Sequence, residues 1–133
     1  LFGLGRYGGN MLRQLHKQGL SVLAVDFDPQ QVKYWQHEGV DTQYGDIEDP
    51  ELAEQLPLKN TPLVISSLPH YEANLSLLKC LHSAGYPGKV IVTAHHPEDA
   101  TLLQAAGADR VLMPFIDAAE VITERVAELT NTP

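Results

Sequence analysis

Short apolar runs rich in β-branched residues alternate along the chain with stretches whose apolar positions recur about every three to four residues. The runs are SVLAVDF at 21–27, DTQY at 41–44, PLVISSL at 62–68, KVIVTA at 89–94 and RVLM at 110–113. They lack the strict polar alternation of a sheet with one wet face, which predicts strands covered on both faces, as in a parallel sheet inside an α/β layer structure. The stretches between them carry helix punctuation. A first helix is predicted from about Gly8 to Gln18, with Met11, Leu12 and Leu15 inward and Gly19 as its stop. A second starts at Asp28-Pro29, a cap followed by proline at the first helical position, and stops at Gly39. Asp49-Pro50 and His96-Pro97 repeat that start signal, and Gly107 closes the later helix. Tyr71 to Ser83 reads as another helix, with Leu75, Leu78 and Leu81 on one face and a Gly85-Tyr86-Pro87-Gly88 turn behind it. Asp117 followed by Glu120 has the form of a capping box, opening a last helix that carries Val121, Ile122, Val126 and Leu129 as an apolar stripe.

Strand and helix therefore alternate, and the right-handed crossover rule converts that order into a Rossmann-like, doubly wound, six-stranded parallel sheet with an extra C-terminal helix. Residues 1–133 are expected to form one domain, since no linker or low-complexity segment divides them. Only Leu1 and Phe2 stand where the first strand belongs. A piece of a longer polypeptide is the expectation.

Composition narrows the function classes. With 44% hydrophobic and 20% charged residues, and no apolar run near the ~20 residues of a membrane helix, direct membrane insertion by this segment is not expected. Seventeen acidic against nine basic side chains give a net charge of −8, which repels phosphate backbones and argues against a nucleic-acid partner. The single Cys80 cannot close an internal disulfide, and its place among Leu75, Leu77, Leu78 and Leu81 predicts a buried thiol in a reducing compartment. Of Tyr34 and Trp35, both are expected to pack on the sheet rather than on a ligand.

The chemistry concentrates at GLGRYG. Gly3 permits the tight turn, Gly5 lets a pyrophosphate approach the backbone, Gly8 lets helix and strand pack closely, and the helix N-terminus offers free N–H groups to the anion. Such a turn needs an acid at the end of the next strand, about 20 residues on, to accept from a ribose. Asp26 stands there, with Phe27 and Asp28 behind it. A 2′-phosphate beside that carboxylate would meet repulsion, so NAD(H) is expected in preference to NADP(H), with AMP, ADP or ATP as alternatives sharing the same ribose. Arg6 can reach phosphates from inside the turn, and Leu4 and Tyr7 complete it. Gly45-Asp46-Ile47, Ser66, Ser67 and Leu68, and Ala94 and His95 end later strands at the same carboxyl edge, where open α/β sheets bind ligands. His95-His96 is not expected to hold a metal, because adjacent side chains point apart and no third ligand stands at a matching spacing.

Five motifs in order, GLGRYG, VDFDP, GDIEDPEL, EANLSLL and LLQAAGADRVLMP, resemble the N-terminal half of the regulator of K+ conductance domain, also called KTN or TrkA-N. The resemblance covers essentially the whole chain. It implies a cytosolic, homodimeric module at the inner face of a bacterial membrane, which binds NAD(H) or an adenine nucleotide and gates a linked potassium or cation:proton transport domain. By position it implies phosphates at Gly3, Gly5, Arg6 and Gly8, the ribose at Asp26, adenine beside Asp46, a family asparagine at Asn74, and a dimer contact in the helix over 117–129. Glutathione gating in the family goes with a basic residue shortly after the Gly-Asp pair, whereas this chain has Ile47-Glu48-Asp49. No catalytic role is expected. The alternative, an NAD-dependent oxidoreductase cofactor domain, lacks a Tyr with a Lys four residues later and would need a partner for its substrate site.

Overall fold

The computed structural model describes residues 1–131, so the last two residues of the expected 1–133 domain lie outside the described residues. Helix α1 spans Arg6–Lys17, strand β1 Ala24–Asp26, α2 Pro29–His37 and β2 Thr42–Tyr44. There follow β3 Leu63–Ile65, α3 Tyr71–Ser83, β4 Lys89–Thr93, α4 Pro97–Ala105, β5 Arg110–Leu112 and α5 Pro114–Thr130. Every strand pair is parallel: β1 lies beside β2, and β3, β4 and β5 follow one another in that order. Phe2 joins the two groups. It bridges Val25 on one side and Ser66 on the other, accepting from Ser67 N at 2.9 Å and donating to Ile65 O at 2.8 Å. The resulting order is β2, β1, Phe2, β3, β4, β5, the doubly wound arrangement expected from sequence. Instead of six full strands, the described residues hold five strands and this bridging residue; Leu1 extends the pairing, donating to Leu23 O at 2.9 Å and accepting from Val25 N at 2.8 Å, and the turn at Gly3 ends it.

Alternating strand residues feed two cores. Ala24 packs with Leu4, Leu12, Trp35 and Val40 under α1 and α2, whereas its neighbour Val25 packs with Phe2, Val64, Leu77, Val92 and Leu103 under α3 and α4. Successive strand side chains point to opposite faces, so the two helix pairs cover the sheet from opposite sides.

Helix ends follow the local chemistry. Asp28 caps α2 by accepting from Gln30 N at 2.9 Å, with Pro29 at the first helical position. The helix expected from Asp49-Pro50 is instead a pair of 3₁₀ turns, Leu52–Gln55 and Leu58–Asn60. Pro57 separates them: it offers no N–H and drives Leu56 to extended backbone, φ −112° and ψ 145°. The last helix starts at Pro114 and not at Asp117, whose carboxylate instead reaches back to accept from Met113 N at 3.1 Å. No residue of α5 is buried, and Val121, Ile122, Val126 and Leu129 are 47 to 76% exposed. Two packing expectations change as well. Trp35 is buried, but Tyr34 is half exposed and meets the indole edge-to-face at 5.3 Å, since consecutive helical positions lie about 100° apart and Trp35 takes the inner one. Cys80 is half-buried, its Sγ 4.0 Å from Pro50 O. Among the described residues no helix is long and apolar enough to cross a membrane.

Candidate functional site

Gly3 leaves the sheet with φ +88°, a conformation that favours glycine, and passes the chain through Leu4 into Gly5, the residue that precedes α1. A Cβ on Gly3 would lie 2.5 Å from Ser67 Oγ and 2.9 Å from Leu68 Cδ2, and one on Gly8 would run into the Gly3 carbonyl oxygen. A Cβ on Gly5, by contrast, would meet nothing within 4 Å. Two glycines thus serve close packing and one faces open space.

No side chain caps α1 and no acidic residue stands in its first turn. Its leading N–H groups are left to water or to an anion, and the helix dipole favours the anion. Asp26, at the end of β1, accepts from Leu4 N through Oδ2 and from Asp28 N through Oδ1, each at 2.8 Å. Each carboxylate oxygen keeps further acceptor capacity, so the group is fixed in place while it can still receive hydroxyls. Arg6, Tyr7 and Phe27 are exposed around it, and Asp28 is half-buried as the cap of α2. An open groove of about 530 Å³ runs from the turn between α1 and α2, lined by Leu4, Gly5, Arg6, Asn10, Arg13 and Tyr34 among others.

The end of β2 lies beside Asp26, because Gly45 N donates to Asp26 O at 3.1 Å. Exposed Asp46 accepts from Glu48 N at 2.9 Å, and Ile47 is buried in the core. Ser66, Ser67 and Asn74 are likewise buried, and their polar groups are turned inward. The Ser67 hydroxyl donates to Gly3 O at 2.8 Å and Phe2 O at 3.1 Å, while Ser66 Oγ accepts from Leu68 N at 3.3 Å. Asn74 Nδ2 donates to Leu68 O at 2.7 Å and to Thr93 O at 2.9 Å. The sequence-expected set therefore divides into an outward group, from Gly5, Arg6 and Tyr7 to Asp26, Phe27, Asp28 and Asp46, and an inward group that braces it.

Three residues at this edge were not named as ligand-site candidates from sequence. Thr93 is buried and donates to Ser66 O at 2.8 Å. Tyr44 is the register partner of Asp26 and 59% exposed. Asp117 lies near Tyr7, whose phenol is raised above its usual pKa of 10.0 by burial and then by that carboxylate. Strand register would have pointed to Tyr44; the other two depend on contacts between segments far apart in the chain. Nearby, His95 sets its ring edge-to-face against Phe115, centroids 5.5 Å apart.

The fold and turn recur in known proteins. The TrkA-N domain model matches residues 1–114. Ktr system potassium uptake protein C of Bacillus subtilis (strain 168) is 27% identical over 127 residues, which are 95% of this chain and 57% of that protein. The putative K(+) efflux antiporter KefB of Alkalimonas amylolytica is 27% identical over 131 residues, 98% of this chain and 20% of that protein. The chain thus spans only part of the length of either relative. Among solved structures, the NAD(P)-binding domain of an exopolyphosphatase-related protein from Archaeoglobus fulgidus superposes with a TM-score of 0.86 at 25% identity, covering 96% of each chain. The AMP-bound Kef CTD of Shewanella denitrificans gives 0.78 at 21% identity over 98% of this chain and 79% of that one, and the NAD-bound GsuK channel 0.74 at 22% over 84% and 20%. These last two share the fold. Because the glycine turn, Asp26 and the whole strand order fall within residues 1–114, the chain belongs to the TrkA-N domain family.

Proposed function

We propose that this chain is a regulatory nucleotide-binding domain of a potassium or cation transport system, a cation:proton antiporter in the first instance, and that it performs no catalysis. The observation that carries the reading is Asp26, fixed by two backbone N–H groups at the mouth of an uncapped helix in a chain of this family. NAD(H) is the favoured ligand and AMP, ADP or ATP the alternatives: the solved relatives include a channel bound to NAD, the same channel bound to ADP and a Kef domain bound to AMP. Phosphates would lie on the N–H groups beyond Gly5 with Arg6 beside them, and the ribose on Asp26. Phe27, Tyr44 and Asp46 would surround the base, while Gly3, Gly8, Ser66, Ser67, Leu68, Ile47 and Asn74 shape the site from behind.

The partner would be a membrane transport domain at the cytoplasmic face of a bacterial inner membrane, and a second copy would cover the apolar stripe of α5. A ligand that binds one arrangement of such a dimer better than another shifts the linked transporter by that difference in affinity, typically ~1 to 3 kcal/mol. Calorimetric titration of NADH and AMP into the wild type and Asp26→Asn tests the reading. A charged hydrogen bond contributes about 1.5 to 3 kcal/mol, so the variant should bind about tenfold to a hundredfold more weakly with its fold intact. Unchanged affinity would remove the basis of the proposal.

A further inference from the structure

The candidate site has two halves, on either side of Phe2. The half over β1 and β2 holds Asp26 and suffices for a mononucleotide; only a dinucleotide extends over the ends of β3 and β4. Asn74, in the first turn of α3, is completely buried beneath that second half. Through Nδ2 it joins Leu68 O at 2.7 Å to Thr93 O at 2.9 Å, and the Thr93 hydroxyl closes the loop by donating to Ser66 O at 2.8 Å. The ends of β3 and β4 are thereby locked into one floor.

Asn74 Oδ1 has no hydrogen-bond partner although it is buried. Two carbonyl oxygens fix which way the amide faces, so turning it over would trade one orphan for two repulsions. Buried acceptors without donors are costly and uncommon in folded proteins, so the side chain keeps its two donated bonds at the expense of its own acceptor. What this side chain secures is the height of the floor.

We propose that Asn74 is a positioning residue for the distal half of a bound dinucleotide, touching no ligand itself but holding Leu68 and Thr93 at the spacing the second nucleoside requires. The inference rests on the nucleotide reading above. Ser67 has the complementary role at the shared centre. Its hydroxyl holds Gly3 O at 2.8 Å and fills the space in front of Gly3 and Gly8, so it supports the phosphate turn that mononucleotides and dinucleotides use alike.

Titration of NADH and AMP into the wild type, Asn74→Ala, Thr93→Val and Ser67→Ala separates these roles. Asn74→Ala should weaken NADH about tenfold and AMP less than about twofold, whereas Ser67→Ala should weaken both by a similar factor. Thr93→Val is nearly isosteric and removes the floor's other tie, the Thr93 to Ser66 bond, so if Asn74→Ala fails to fold it tests whether the floor itself sets the distal half. Equal losses for the two ligands, or no loss, in the folded variant would show that Asn74 merely supports the fold, and would overturn the inference. Wild-type protein that binds AMP but not NADH would sink this inference alone; binding of neither would sink the nucleotide reading first.

Discussion

Gly3 and Gly5 stand two positions apart and answer to different demands. Gly3 has positive φ and no room for a methyl group, with Ser67 Oγ at 2.5 Å from where a Cβ would go; Gly5 has ordinary φ of −70° and empty space in front of it. Left-handed backbone costs a β-carbon roughly 1 to 2 kcal/mol, and overpacking adds about 1 to 3. Gly3→Ala should therefore lose about 2 to 4 kcal/mol of stability in urea titration. Gly5→Ala should unfold within about 0.5 kcal/mol of the wild type yet bind NADH about tenfold more weakly, since its new methyl stands where the pyrophosphate must approach. Equal stability losses in the two variants would contradict that division of labour. Asp26 was legible in the sequence because its meaning is local: a strand end a fixed distance after a glycine turn. The inward turn of Ser67 was not, since its partners Gly3 and Phe2 are 64 and 65 residues away in the chain.

At the scale of elements, what the chain states locally is where the structure follows it. Asp28-Pro29 opens α2, because caps and proline act through neighbouring backbone groups, and Tyr71 to Ser83 is α3, whose apolar spacing places Leu77, Leu78 and Leu81 in the core. The strands are shorter than their apolar runs: SVLAVDF yields only Ala24–Asp26, although Leu23 O before it still accepts from Leu1 N at 2.9 Å. Asp49-Pro50 misleads because Pro57 interrupts the segment before a second turn can form. Pro114, two residues past β5, was the better start signal for the last helix than Asp117. Among the described residues nothing buries any residue of that helix, and its apolar stripe stays exposed. Isolated helices of this length are marginal, and most helical stability comes from packing an apolar face. Ile122→Glu with Val126→Glu should thus leave the urea midpoint almost unchanged while converting a sedimenting dimer to monomer. A monomeric wild type, or a dimer indifferent to both changes, would remove α5 as the contact.

Over the whole molecule, the ligand edge and the root of α5 are one place. Tyr7, in the first turn of α1, lies near Asp117 in the first turn of α5, and His95 at the end of β4 packs on Phe115 beside it. On the proposed reading a nucleotide over the glycine turn approaches these groups, so its binding and the proposed pairing of α5 with a second copy should be linked. Linkage is reciprocal: whatever factor NADH applies to the dimer constant, dimerisation must apply to NADH affinity. The acidic chain adds a second lever. Net charge is −8, and Glu120 and Glu124 stand on the helix that would pair, so two copies should repel at low salt and associate more tightly as the Debye length shrinks to about 10 Å near 0.1 M. Sedimentation with and without NADH at low and moderate salt gives one side of the cycle, and NADH titration above and below the dimer midpoint gives the other. The two factors should agree, about 5-fold to 150-fold for a coupling of ordinary strength, and both should persist when salt is raised. A dimer constant that ignores NADH would leave the site without a route to α5, and the regulatory reading would then need a different surface through which to act.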